Sequence, residues 1–104
     1  VSYLPQTRRD FEAIAEWLTD YSDAEVARRR VDQIRSTCQS LTDFPYRGAP
    51  RSEVHPGLRM IHAADNNAII SYFVDEAEKQ VTIVVVRFAG GDWETASRLR
   101  LEVS

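Results

Sequence analysis

The stretch Val81-Thr82-Ile83-Val84-Val85-Val86-Arg87-Phe88 constrains the fold more than any other part of the chain. Six of its eight residues are apolar and most are β-branched. A short run of this kind reads as a strand buried on both faces, in the middle of a sheet, and is too short for a buried helix. It leaves through Ala89-Gly90-Gly91-Asp92-Trp93, an exit where a binding or chemical group can be placed. Whatever precedes this strand must pair with it or cover it.

The chain in front of it supplies both kinds of material. Val1–Leu4 is a short β-prone segment stopped by Pro5, suited to an edge strand. Thr7 begins a helix, with Asp10 three residues later as a near capping box. Phe11, Ile14, Ala15, Leu18 and Tyr21 recur at helical spacing, and Trp17 widens that face. Ser22 and Glu25 form a second capping box, followed by Ala27, Val31, Ile34, Cys38 and Leu41 at alternating steps of four and three. The short connection makes the two helices an antiparallel hairpin. From Asp43 to Gly57 the periodicity stops, and Pro and Gly residues mark a long loop. Leu58–Ala64 and Ala68–Val74 read as strands divided by the turn signal Asp65-Asn66-Asn67, and Asp75–Gln80 is a charged turn into the central strand. Asp92 caps a final short helix with Trp93, Ala96 and Leu99 on one side. The order β-αα-βββ-α over residues 1–104 reads as one α+β domain: an N-terminal strand and a helical hairpin packed in two layers on an antiparallel sheet.

Charge and cysteine content narrow the function classes. The net charge of −3 disfavours nucleic acid as the main partner, because phosphate recognition needs a basic face. Twelve of the thirteen basic residues are arginine, which serves carboxylate and phosphate contacts alike. The single cysteine, Cys38, fits a reducing cytoplasm, and it lies on the helical seam as a small core residue. The sequence opens with no signal-peptide pattern, and no apolar run reaches membrane-span length. His55 and His62 do not form a metal constellation with any Cys or acid, so no metal or cofactor is expected. Gly90-Gly91 lacks the Lys-Ser/Thr of a phosphate loop and reads as a tight turn. Arg28, Arg29, Arg30 and Arg35 form the densest basic run, read as solvated side chains paired with Glu25 and Asp32 or as a docking face for an acidic segment.

Several local signatures occur in a telling order: Arg8-Arg9-Asp10-Phe11-Glu12-Ala13-Ile14, Leu41-Thr42-Asp43-Phe44-Pro45, Arg47-Gly48-Ala49-Pro50, Pro56-Gly57-Leu58-Arg59, Ile69 to Asp75, and Val84-Val85-Val86-Arg87 running into Asp92. Together they resemble the RelE/ParE superfamily of type II toxins from bacterial toxin–antitoxin pairs, closest to the ParE branch. The RelE branch implies a ribosome-dependent mRNA endoribonuclease that stabilises phosphorane charge with lysines and arginines. The positions that would carry those cations fall near Met60, His62, Ile69 and Gly91, so only His62 is left as a candidate acid–base group.

The ParE branch implies a plasmid-stabilising toxin that inhibits DNA gyrase by protein binding. It also implies neutralisation by a ribbon-helix-helix antitoxin of ParD type, with no specific DNA binding by the toxin alone and no membrane. Arg59 and Arg87 match arginines typical of that branch. The segment after the central strand departs from it, with Ala89 and Gly91 where a His and a second Arg are usual. Arg59 and Arg87 are expected on adjacent strands, as a basic spot for a target or for antitoxin carboxylates, or else paired with acids of the chain itself. Phe11, Ala15 and Leu18 are expected to meet apolar antitoxin side chains, with Asp92 and Trp93 at the far end of the binding surface. A third reading is a non-toxic relative that only binds its antitoxin.

Overall fold

The computed structural model describes residues 1–88 and 91–102. In chain order the elements are β1 (Ser2–Tyr3), α1 (Thr7–Tyr21), α2 (Ala24–Ser40), β2 (Ala49–Pro50), β3 (Arg59–Ala63), β4 (Ala68–Asp75), β5 (Gln80–Phe88) and α3 (Trp93–Glu102). This is the α+β class expected from the sequence, but the sheet is mixed rather than wholly antiparallel, and α3 lies on the face opposite the hairpin instead of leaving two layers. The strands lie in the order β1-β5-β4-β3-β2. All pairings are antiparallel except that of β1, which runs parallel to β5.

Val81 and Ile83 to Val86 are all buried, which the apolar run demanded. In the plane of the sheet, however, β5 is central for only part of its length. β1 covers Thr82 and Ile83, the Leu4 N–H adds one bond to the Ile83 carbonyl, and Pro5 then turns the chain away. From Val84 onward, that side of β5 is an edge. A bulge sits at the same place: Ser71 pairs with Val85 and Tyr72 with Ile83, leaving Val84 as the extra residue. It sends Val84 and Val85 together into the core on the α3 side, while Ile83 and Val86 face the helical hairpin.

α1 and α2 pack on one face of the sheet. Their stripes of Phe11, Ile14 and Leu18, and of Ala27, Ile34, Cys38 and Leu41, meet Ile70, Tyr72, Ile83 and Val86. On the opposite face, α3 and the segment 54–58 cover Met60, Val84 and Val85 with Trp93, Val54 and Leu58.

Both helix starts differ in detail from the sequence reading. Gln6 is the N-cap of α1 and makes no side-chain cap; the Thr7 hydroxyl donates backward to the Leu4 carbonyl, and Asp10 has a different use. Asp23, not Ser22, caps α2, accepting from the Val26 N–H. Glu25 pairs with Arg28 instead of reaching back.

The loop after α2 is held, not loose. The buried Tyr72 hydroxyl accepts from the Gly48 N–H at 2.9 Å and donates to the Pro45 carbonyl at 2.8 Å. Arg59 donates to the Gly48 and Tyr46 carbonyls and lies over the Tyr46 ring.

Candidate protein-binding groove

An exposed strand edge needs partners for its backbone groups. Beyond β1, side chains supply them. Asp10, one turn into α1, accepts from the Val86 N–H at 3.0 Å. Arg100 of α3 donates to the Val84 carbonyl at 2.8 Å. The two side chains then join: Arg100 meets the Asp10 carboxylate at 2.6 and 2.8 Å, and Arg87 meets it at 2.5 Å. Burial alone would push the Asp10 carboxyl up, but the bonds from Arg100, the Val86 N–H and Arg87 outweigh it and hold the group below its usual range. One carboxylate between two guanidiniums leaves a net single positive charge. The two arginines are therefore turned inward on the protein's own acid, away from any external phosphate.

Arg87 reaches Asp10 by an unusual route. The pleat places Val86 toward the helical hairpin and Arg87 toward α3. Its guanidinium curls back over the strand edge, touching the Val86 carbonyl on the way. Gly91 makes room, since a Cβ there would lie 2.9 Å from Arg87 Cδ.

Beside this cluster runs an open groove of about 610 Å³, lined by Arg9, Asp10, Ala13, Ile14, Trp17, Arg87 and Phe88. Trp17 is 42% exposed and sits between Tyr21 and Phe88, with ring centroids 4.7 and 5.7 Å away. Tyr21 is 73% exposed. Two exposed aromatics stacked beside the half-buried Phe88, where no further strand pairs with β5, have the composition of a protein-binding hot spot.

The residues singled out from the sequence scatter around this groove. Phe11 and Leu18 are buried against the sheet and Ala15 is half-buried, so the apolar surface left open on α1 is that of Trp17 and Tyr21. Trp17 widens the apolar face of α1 in the sequence, yet it lies beside the free edge of β5, which explains its exposure. Arg59 and Arg87 are not on adjacent strands: β4 lies between β3 and β5. Arg59 pairs with Tyr72, whereas Arg87 and His62 both flank Ile69. His62 lies three positions after Arg59, with Met60 and Ile61 between, so the pleat puts the two on opposite faces.

At the far end, Asp92 caps α3 through the Thr95 N–H, which lowers its pKa, and Trp93 is core with Arg51 over its ring. In the basic run, Arg28 pairs with Glu25 and Asp32, Arg30 with Asp65, and Arg35 lies over Phe11. Among the described residues, no three His, Cys, Asp or Glu side chains gather as a metal site would require, and no helix is long and apolar enough to cross a membrane. Ala89 and Gly90 lie outside the described residues.

The family model for the ParE toxin of type II toxin–antitoxin systems (parDE) matches residues 1–93. The chain belongs to the ParE toxin family. No curated protein matches it in sequence. A solved structure described as the chromosomal ParDE TA system from P. aeruginosa shares the fold, with a TM-score of 0.72 at 19% identity over 86% of this chain and 94% of that one.

Sequence reasoning did not assign to the strand edge the two residues that cap it, Asp10 and Arg100. Asp10 carried a signal: with Ile14 and Leu18 it falls at steps of four on the apolar stripe, and an acid there requires a partner. Arg100 carried none. The inward face of α3 is Trp93, Ser97 and Arg100, while Leu99 is 58% exposed. An apolar pattern selects Leu99 and passes over the arginine.

Proposed function

We propose that this ParE-family toxin acts by binding protein rather than by breaking bonds, that its target is DNA gyrase in the cytoplasm, and that a cognate ribbon-helix-helix antitoxin neutralises it. The antitoxin's tail would fold on contact, as disordered segments do when they wrap a large surface. It would lie in the groove between α1 and the end of β5, with an apolar side chain against Trp17, Tyr21 and Phe88 and an acid toward Arg9.

The observation that carries the non-enzymatic reading is the dispersal of the cations. RelE-type cleavage, which stabilises phosphorane charge with lysines and arginines, needs several cations facing one phosphate. Here Arg59 holds loop carbonyls on one face, His62 lies on the other, and Arg87 is turned onto Asp10, which it shares with Arg100. A supercoiling assay with purified gyrase tests the target. Inhibition at micromolar toxin, relieved by the antitoxin, is expected; unimpaired supercoiling removes gyrase from the proposal.

A further inference from the structure

The start of α1 is open on two flanks. On a helix of about 3.6 residues per turn, Arg9, Ala13 and Trp17 face the groove, and Arg8 and Phe11 fall on the other flank. That second flank borders a separate cavity of about 440 Å³. Tyr3, Leu4, Pro5 and Phe11 form its apolar floor, and Arg8 and Arg35 line it as well. Tyr3 and Leu4 are half-buried and Pro5 is exposed, so part of that floor stays open. Arg35 stands apart from the rest of its basic run. Arg28 and Arg30 meet acids of the chain, whereas Arg35 lies 4.1 Å above the Phe11 ring with no carboxylate in ion-pair range among the described residues. Stacking fixes the plane of a guanidinium and leaves the N–H groups on its edge free for a carboxylate. Arg8 adds a second charge, since its tie to Glu12 spans 3.5 Å between side chains 87% and 65% exposed. The linings of groove and cavity thus hold four arginines, Arg8, Arg9, Arg35 and Arg87, against one carboxylate, Asp10, which Arg87 and Arg100 already share. A protein of net charge −3 presents a basic saddle across the first turns of α1.

We propose that the antitoxin tail clasps α1 from both flanks. Beyond the groove it crosses the helix and docks in the second cavity, with a carboxylate on Arg35 and an apolar side chain on the floor of Tyr3, Leu4 and Pro5. The clasp rests on the antitoxin reading above and extends it to a surface the groove does not include. An acidic, amphipathic segment suits the whole path: apolar residues fill the groove and the cavity floor, and acids meet the arginines between them.

Calorimetric titration of the full chain with full-length cognate antitoxin tests the clasp. Arg35→Met keeps an unbranched apolar stem on Phe11 and removes the charge. It is expected to weaken binding at least about tenfold, and Arg8→Gln at least about threefold. Arg29→Met, at an exposed position of α2 that lines neither site, is expected to change binding less than about twofold. Arg8 is almost fully solvated, so Arg8→Gln carries the test if Arg35→Met does not fold. The Arg35→Met loss is expected to shrink at about 0.5 M salt; a loss that salt leaves unchanged comes from packing on Phe11 and contradicts the clasp. Wild-type affinity in both variants, with Trp17→Ala still weakened, overturns the clasp and leaves the groove reading standing. Antitoxin affinity kept with gyrase inhibition lost assigns the cavity to the target and overturns the clasp equally. A wild-type chain that binds no antitoxin ends both.

Discussion

Replacing Tyr72 with Phe removes a single oxygen from the middle of β4 and releases the loop that follows α2. That oxygen is fully buried and serves two loop groups, the Gly48 N–H and the Pro45 carbonyl. Gly48 is itself buried, so its N–H is left facing a phenyl edge. A net hydrogen bond contributes about 1 kcal/mol, and an orphaned buried donor costs about 1–3 kcal/mol. The two losses overlap, so the expected destabilisation is about 2–3 kcal/mol. For a domain of this size that lowers the melting temperature by about 10–20 °C. Urea unfolding followed by circular dichroism should show the midpoint falling with an unchanged slope.

Gly48→Ala should cost a similar amount by the same route. Its Cβ would collide with the Tyr72 hydroxyl and come within 2.7 Å of the Met60 carbonyl. Because both changes break one tie, the double variant should be less destabilised than the sum of the singles. A Tyr72→Phe loss under about 0.5 kcal/mol, or strict additivity, would refute the claim that this hydroxyl organises the loop.

Other outcomes follow from the same geometry. Trp17→Ala should leave the native circular dichroism spectrum intact and weaken antitoxin binding at least about 30-fold in calorimetry, as loss of an aromatic anchor does. Asp10 has a lowered pKa, so its contribution to stability is full above the ordinary carboxylate value of 3.8 and fades as pH falls through the lower folded value. Acid titrations of wild type and Asp10→Asn should therefore converge at the acid end. Burial pushes the Cys38 thiol up to about 11, so native protein should resist alkylation at pH 8 while unfolded protein reacts at once.

The fold was legible because its elements obey simple periodicities. The seam Ala27, Val31, Ile34, Cys38 and Leu41 is buried or half-buried throughout, and the turn at 65–67 falls where the Asp-Asn-Asn signal put it. What stayed hidden depended on where a strand stops. Two residues of β1 decide that β5 becomes an edge at Val84, and that edge decides the roles of Asp10, Arg87 and Arg100 as well as the exposure of Trp17. A strand that ends after two residues leaves almost no mark in composition. The error about Arg59 and Arg87 has a different cause. Both were placed on strands correctly, and three strands joined by two short turns already set the middle one between the outer two, so the expected adjacency did not follow from the strand order read in the sequence.

The most direct test is made in cells, after induction of the toxin without its antitoxin. Plasmid topology and the 5′ ends of several abundant transcripts are measured from the same culture. Loss of negative supercoiling with transcripts intact is the expected result. Codon-phased cuts in the transcripts, with plasmid topology unchanged, would contradict an inhibitor whose arginines are bound to its own carboxylate and carbonyl groups.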